Sequence, residues 1–527
     1  MYTFESILDE IGGFGKFQLI TELWIFSSFT LCSWSMMHMA FAGLVPDWYC
    51  VSSESEAIDE GLVLQLAKNA SFHEENFQRC EAANGTACTD LRFLGPVMTV
   101  TEEWALVCNR NWIRSALISI QMGGILMGCF ISGQLSDQFG RRRVLNGFTL
   151  SHAIVNIAAA LTNSWQLFGV TRFLIGAALG GIITTAFPYG MEFLPLKWRP
   201  FTATVPFWGC GVAIFTGVAY FFPNWRHLHL ALGILNIPCL IGYWQTPESI
   251  RWLAAKGKKQ EAEAVLKKMA DTNGRPLPPH AAELLDTSIK HQLIPKAEDD
   301  KIISYADLFK SWYLVKCTVV TCFFWWTMSL VVYGISFGVT SLAGNIYVNM
   351  LAMAVIEFPG LPLTFWLMNK FGRRKTALLY FALATISSLT SLCLILVGAA
   401  DTKGGATRWL ALLIRMLLSY AWSVIQTWGA ELYPTVTRNI SYGAVNTSAR
   451  IGGILAPFII NLESGAVLTY CIITALTFLM TIAPFTLPET KGKVLRDHLT
   501  SNDETGEDHS VKRVPDMVKP IDAELSL

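Results

Sequence analysis

The chain has 527 residues, of which 52% are hydrophobic and 15% charged, against about 25% charged in soluble domains. Its 40 Lys and Arg balance 40 Asp and Glu, so it lacks the basic excess of a nucleic-acid binder. A mean hydropathy of +0.40 over this length excludes a string of ordinary soluble domains and points to a polytopic membrane protein.

Stretches of about 20 residues nearly free of Asp, Glu, Lys and Arg can cross a hydrocarbon core as helices. In chain order they fall at 20–44, 113–135, 144–162, 166–190, 200–222, 227–245, 313–339, 346–368, 376–398, 408–430, 440–462 and 465–487. These twelve predict an all-α membrane protein. Residues 317–356 carry no such charge, which is too long for one helix, so a turn is expected near Ser341–Asn345. Orientation follows from the basic short loops, which stay cytoplasmic. Arg141-Arg142-Arg143, Lys197 with Arg199, and Arg373-Arg374-Lys375 share one side if the N-terminus is inside. The even number of spans then places the C-terminus inside too. No charged n-region with a cleavage site precedes the first span, which is expected to serve as an uncleaved insertion signal.

The loop over 44–112 falls outside. It holds Cys50, Cys80, Cys88 and Cys108, the sequons at Asn69 and Asn84, and an acidic excess. Disulfides belong to the oxidising side, and four cysteines allow three pairings. Paired metal-binding knuckles are missing from their spacing, so no zinc site is expected. The largest cytoplasmic segment, 246–312, contains an amphipathic helix over Lys258–Ala270 with Ala262, Val265, Leu266 and Met269 on one face. The tail over 489–527 is polar.

Several patterns occur twice in the same order. Asp137-Gln-Phe-Gly140-Arg141-Arg142 returns as Asn369-Lys-Phe-Gly372-Arg373-Arg374. Glu192-x-x-Pro195-x-x-x-Arg199 returns as Glu431-x-x-Pro434-x-x-x-Arg438, and Pro247-Glu248-Ser249 as Pro488-Glu489-Thr490. Arg172 matches Arg415. Two six-helix halves follow, 1–245 and 313–488, the architecture of a transporter with its site between repeats near the midplane.

These motifs resemble the major facilitator superfamily, and the details resemble its organic cation, anion and carnitine transporters, solute carrier family 22. The supporting segments are Gly13-x-Gly15-Lys16-Phe17-Gln18, the Cys-bearing first loop, Pro247-Glu248-Ser249-Ile250-Arg251-Trp252-Leu253, Asp307-Leu308-Phe309, Glu431-Leu432-Tyr433-Pro434-Thr435 and Pro488-Glu489-Thr490-Lys491-Gly492. The resemblance implies a twelve-helix carrier of alternating access, monomeric in the plasma membrane with both termini cytoplasmic. Its partners would be membrane lipid, a small organic ion, and a counter-ion or exchanged organic acid. One departure is Asn369, where the loop motif prefers Asp.

The loop motifs suggest a gate. Gly140 allows a tight turn, Asp137 sits near a helix start, and Arg141 can reach Glu192 across the cytoplasmic face; Arg373, Glu431, Arg199 and Arg438 extend the pattern. Pairs made in one state and broken in the other would bias the conformational equilibrium. The alternative is that Arg141–Arg143 serve as topology charge alone.

Ionisable residues inside spans are functional candidates, and four stand out: Arg172, Glu357, Arg415 and Arg450. By resemblance Arg450 matches the span-11 position where anion and carnitine carriers have Arg and cation carriers have Asp. A guanidinium pairs bidentately with a carboxylate or sulfate. The competing reading is an internal bridge between Arg450 and Glu357; for Arg172 and Arg415 it is structural pairing within each half. Leu361 stands where some anion carriers place a Lys, which keeps a zwitterion in play.

Trp325, Trp326 and Tyr333 on span 7, with Phe207 and Trp208 on span 5, are candidates to stack on cargo, against plain packing. His38 and His152 are either proton carriers or packing residues. Gly123-Gly124-x-x-x-Gly128 and Gly176-x-x-x-Gly180 read as close helix packing. The glycines before Lys16 do not make a Walker A motif, and no nucleophile elbow, HExxH or haem motif occurs. The expectation is a polyspecific secondary carrier of small organic anions or zwitterions, without catalytic residues, metal or cofactor. The alternatives are an organic cation transporter and a transport-inactive, receptor-like membrane protein.

Overall fold

A computed structural model describes residues 4–50, 80, 88, 91–94, 97–195, 198, 207–282, 285, 305–338, 345–398, 404–433, 438–460 and 466–491. Among the described residues twelve long helices occupy the twelve apolar stretches. They are α1 (Lys16–Ala42), α2 (Trp112–Phe139), α3 (Arg141–Ala160), α4 (Trp165–Met191), α5 (Phe207–Phe221) and α6 (Trp225–Cys239). The second set is α7 (Trp312–Phe337), α8 (Ile346–Phe371), α9 (Arg373–Leu396), α10 (Gly404–Leu432), α11 (Arg438–Ile460) and α12 (Ala466–Ile482).

Eight helical stretches among the described residues are long and apolar enough to cross a bilayer on those grounds alone. The other four, α1, α3, α5 and α11, differ for local reasons. Helix α3 opens on three arginines, α1 and α11 carry charge and many hydroxyl or amide side chains, and only 15 residues of α5 are described. Large apolar side chains such as Phe130, Ile154, Phe365, Ile386 and Phe478 are exposed around the bundle. In water such a surface would associate; against lipid it is the expected exterior.

Small residues set the tightest crossing. A Cβ at Gly124 would land on the Phe173 carbonyl, and one at Gly176 on that of Gln121, so α2 and α4 meet backbone to backbone. Helix α8 is not continuous. Its two segments, Ile346–Val355 and Glu357–Phe371, meet at Ile356, just before Pro359 and Pro362, which cannot donate to the helical ladder. Carbonyls at the break find other donors: Arg415 Nη1 bonds Met353 O at 3.2 Å, and the Tyr420 hydroxyl donates to Ile356 O.

The two halves are joined toward the end that carries the cysteines. Ser115 Oγ donates to Pro457 O at 3.3 Å and Ser119 Oγ to Ile454 O at 2.6 Å. Tyr347 stacks on Phe41 at 5.5 Å and meets Tyr220 edge-on at 5.4 Å. At the same end, Asp47–Cys50 (β1) pairs antiparallel with Leu91–Leu94 (β2). Among the described residues this short ladder is the one departure from an all-α chain, and sequence reading missed it. The connecting helix Lys259–Asn273 buries Ala262, Val265, Leu266 and Met269, the face its periodicity predicts.

Candidate functional site

A cavity of about 320 Å³ lies between the halves, at the lower end of small-molecule sites. Its walls come from both sets of helices: Phe26 and Phe29 of α1, Phe207 and Trp208 of α5, Tyr333 of α7, Glu357 of α8, Arg415 and Trp422 of α10, and Arg450 of α11. Phe26 stacks on Phe207 with ring centroids 4.4 Å apart, and Phe29 meets Trp208 edge-on at 6.1 Å. The result is an aromatic box with three charges in its wall.

Those charges are not equivalent. Glu357 Oε1 lies 2.9 Å from Arg415 Nη1, and Arg415 Nε also donates to Ser336 Oγ at 2.8 Å. Arg450 faces the Tyr333 hydroxyl. Among the described residues no carboxylate lies within ion-pair distance of it, and its Nε has no hydrogen-bond partner. The bridge between Glu357 and Arg450 is therefore not formed, because Arg415 already holds that carboxylate. Arg415 combines a pairing within its own half with a place on the cavity wall. Its repeat partner Arg172 sits outside the cavity, fully buried, and donates to the Gln121 side chain.

Two of the aromatic expectations need correction. Trp325 is not a wall residue; it packs edge-on against Trp422 at 5.1 Å and Tyr442 at 5.7 Å, behind the ring of Trp422 that does face the cavity. Trp326 is not among the wall residues either; it packs against the apolar core of the C-terminal half. His38 and His152 lie elsewhere in the N-terminal half. His152 bonds Ser35 at 2.7 Å and Asn236 at 3.1 Å, and His38 bonds Trp225 O at 3.3 Å.

The repeated loop motifs meet at the opposite end from the cysteines. Arg141 pairs with Asp137 at 2.9 Å and with Glu192 at 3.4 Å. Burial pushes the Glu192 carboxyl up, against the opposing pull of Ser249 and Arg141. In the second copy Arg373 pairs with Glu431 at 2.7 Å, while Asn369 supplies no counterpart to Asp137.

Two carboxylates with no role assigned from sequence complete the pattern. Glu248 Oε1 accepts from the backbone N–H of Arg141 at 2.9 Å and of Arg142 at 3.1 Å. Glu489 accepts from those of Arg373 at 2.9 Å and Arg374 at 3.0 Å. Each carboxylate thus sits on a helix N-terminus, where free N–H groups and the helix dipole favour an anion. Gly140 and Gly372 turn the chain there with φ of +98° and +92°, and a Cβ on either would strike the glutamate. The signal was present in sequence as the repeated Pro-Glu-Ser/Thr.

Cys80 and Cys108 form a disulfide, and Cys88 is disulfide-bonded as well. Asn69, Asn84 and Arg199 lie outside the described residues, as do the side chains of Cys50 and Arg438, the acidic loop residues, the turn at 341–344 and the tail from 492.

Comparison with known proteins fits this architecture. The sugar (and other) transporter family matches residues 65–498. An organic cation/carnitine transporter 2 from Homo sapiens is 32% identical over 76% of this chain and 71% of its own. An organic cation transporter protein from Drosophila melanogaster is 27% identical over 97% and 96%. Solute carrier family 22 member 7 from Mus musculus is 27% identical over 93% and 95%. The inward-open xylose transporter XylE from E. coli superposes with a TM-score of 0.64 at 18% identity, over 91% of this chain and 98% of that one, which shows the fold alone. The matched relatives are carriers rather than enzymes, and the chain belongs to the major facilitator superfamily and, within it, to solute carrier family 22.

Proposed function

We propose that this protein is a polyspecific secondary carrier of small organic anions or zwitterions, working by alternating access in the plasma membrane. The observation that carries the reading is Arg450: a cation in the wall of the inter-half cavity, without a carboxylate partner among the described residues, while Glu357 is taken by Arg415. A cargo carboxylate or sulfonate supplies the missing charge and bonds the guanidinium bidentately. Tyr333, Phe207 and Trp208 flank flat or cationic parts of the cargo, and the Arg415–Glu357 pair is within reach of a cargo ammonium.

In this reading the arginine clusters and both termini face the cytoplasm, and the loop with the Cys80–Cys108 disulfide and the sequons Asn69 and Asn84 faces outward. Asp137, Gly140, Arg141 and Glu192, with Arg373 and Glu431, are the gating residues, each cluster bracing the inner edge of its own half; Arg199 and Arg438 extend them. The chain acts as a monomer in lipid and needs no cofactor.

A cation carrier is the second reading, favoured by the names of two relatives and by Glu357 in the aromatic wall. The zwitterion in one of those names, carnitine, would satisfy both charges. Uptake by expressing cells of benzenesulfonate, carnitine and tetraethylammonium, each with the others as competitors, separates the readings. Arg450→Asp is expected to lower benzenesulfonate uptake about tenfold or more and to raise that of tetraethylammonium. Unchanged uptake of both would overturn the assignment of Arg450.

A further inference from the structure

Helix α1 carries a carboxylate that the cavity does not use. Glu22 is 5% exposed, and among the described residues neither of its carboxylate oxygens has a hydrogen-bond partner. It lies against Gly190 of α4, where a Cβ would come within 2.9 Å of Oε2 and 3.0 Å of Oε1. Glycine is what admits a carboxyl into this seam. Phe26, one helical turn along the same face, lines the cavity and stacks on Phe207.

Each element packed against α1 carries charged or titratable groups. Arg172, Tyr189 and Glu192 come from the α4 side, Cys210 from α5, His229, Cys239 and Tyr243 from α6 and the turn after it, the Lys and Glu residues and Asp271 from the connecting helix, and Lys316 from α7. None is within hydrogen-bond or ion-pair distance of Glu22. An unpaired carboxylate in such a place is expensive, whereas a neutral carboxyl is not. The side chain is thus a group whose charge follows its access to water.

We propose that Glu22 binds and releases a proton during the transport cycle, making the carrier a proton–anion cotransporter. The inference rests on the carrier reading above and names its coupling ion. The carboxylate takes one proton on one side of the membrane and returns it on the other, with no other bond made or broken. A monoanion moving with that proton crosses without net charge, so the membrane potential does not oppose its entry.

Two measurements on purified full-length protein test this. In the first, infrared difference spectra across a pH titration are compared for wild type, Glu22→Gln and Glu22→Asp. A protonated-carboxyl band present in wild type, absent in Glu22→Gln and shifted in Glu22→Asp is expected; spectra identical in wild type and Glu22→Gln overturn the proposal whether or not any cargo moves. In the second, proteoliposomes take up benzenesulfonate, which is anionic at every pH used. A pH gradient of one unit should drive accumulation of about tenfold in wild type and none in Glu22→Gln, with Glu22→Asp retaining part. Accumulation driven by sodium and not by protons, or an equal response in Glu22→Gln, overturns the coupling. A titrating band without benzenesulfonate uptake would keep the proton site and refute the anion-carrier reading.

Discussion

Glu357 and Arg415 hold each other at 2.9 Å beside the break in α8, 58 residues apart in the chain and both on the cavity wall. The pair neutralises itself, so it is Arg450 that gives the cavity its sign. Removing one member strands the other in a poorly hydrated place. Glu357→Gln or Arg415→Ala should lower stability by about 3–5 kcal/mol, read as a fall in the melting temperature of the purified protein. The exchange of both, Glu357→Arg with Arg415→Glu, should recover more than half of that loss. A double variant as unstable as the sum of the singles would show that the pair is not coupled.

The seam between α2 and α4 distinguishes two neighbouring glycines. Gly124 faces the Phe173 carbonyl, whereas a Cβ at Gly123 meets nothing within 4 Å. Gly124→Leu should destabilise by about 1–3 kcal/mol or more through overpacking and reduce monodisperse protein on size-exclusion chromatography. Gly123→Leu should leave the profile close to wild type.

Glu248 and Glu489 each accept from two backbone N–H groups at a helix N-terminus. Hydrogen bonds to a charged group contribute about 1.5–3 kcal/mol. Glu248→Gln and Glu489→Gln should therefore slow initial uptake per molecule of surface-labelled protein. Asp137→Ala, which removes one of two carboxylates on Arg141, should act in the same direction. Normal turnover at normal surface level in all three variants would mean that these loops only fix topology.

The Cys80–Cys108 bond closes a segment with a sequence separation of 28. Such loops stabilise by about 3.5 kcal/mol in the chain-entropy account. Replacing both cysteines with serine should lower the melting temperature, and dithiothreitol should lower that of wild type more than that of the variant.

The helices were legible because their signal is local: a run of apolar residues in one window decides each. Arg450 was legible as a buried charge for the same reason. Partnership was not, because it depends on how helices distant in sequence are rotated against each other. Glu357 was visible, but its choice of Arg415 over Arg450 follows from where α10 lies beside the break in α8. Trp325 and Trp326 sit on a helix that does line the cavity, yet the Trp325 ring braces Trp422 and Trp326 is not among the wall residues. Glu248 and Glu489 stood in a visible repeat, and their task appears only when each meets a loop more than a hundred residues upstream. The ladder of β1 and β2 rests on two four-residue strands, too short for alternation to announce.

The ion pairs of Arg141 and Arg373 have one more consequence. Both arginines bind carboxylates of their own half, so neither bond straddles the line along which the halves part. Ionic strength should therefore act on the firmness of each half more than on the rate at which they separate. The clusters behave as hems that keep two panels stiff at the edge without themselves fastening the opening between them.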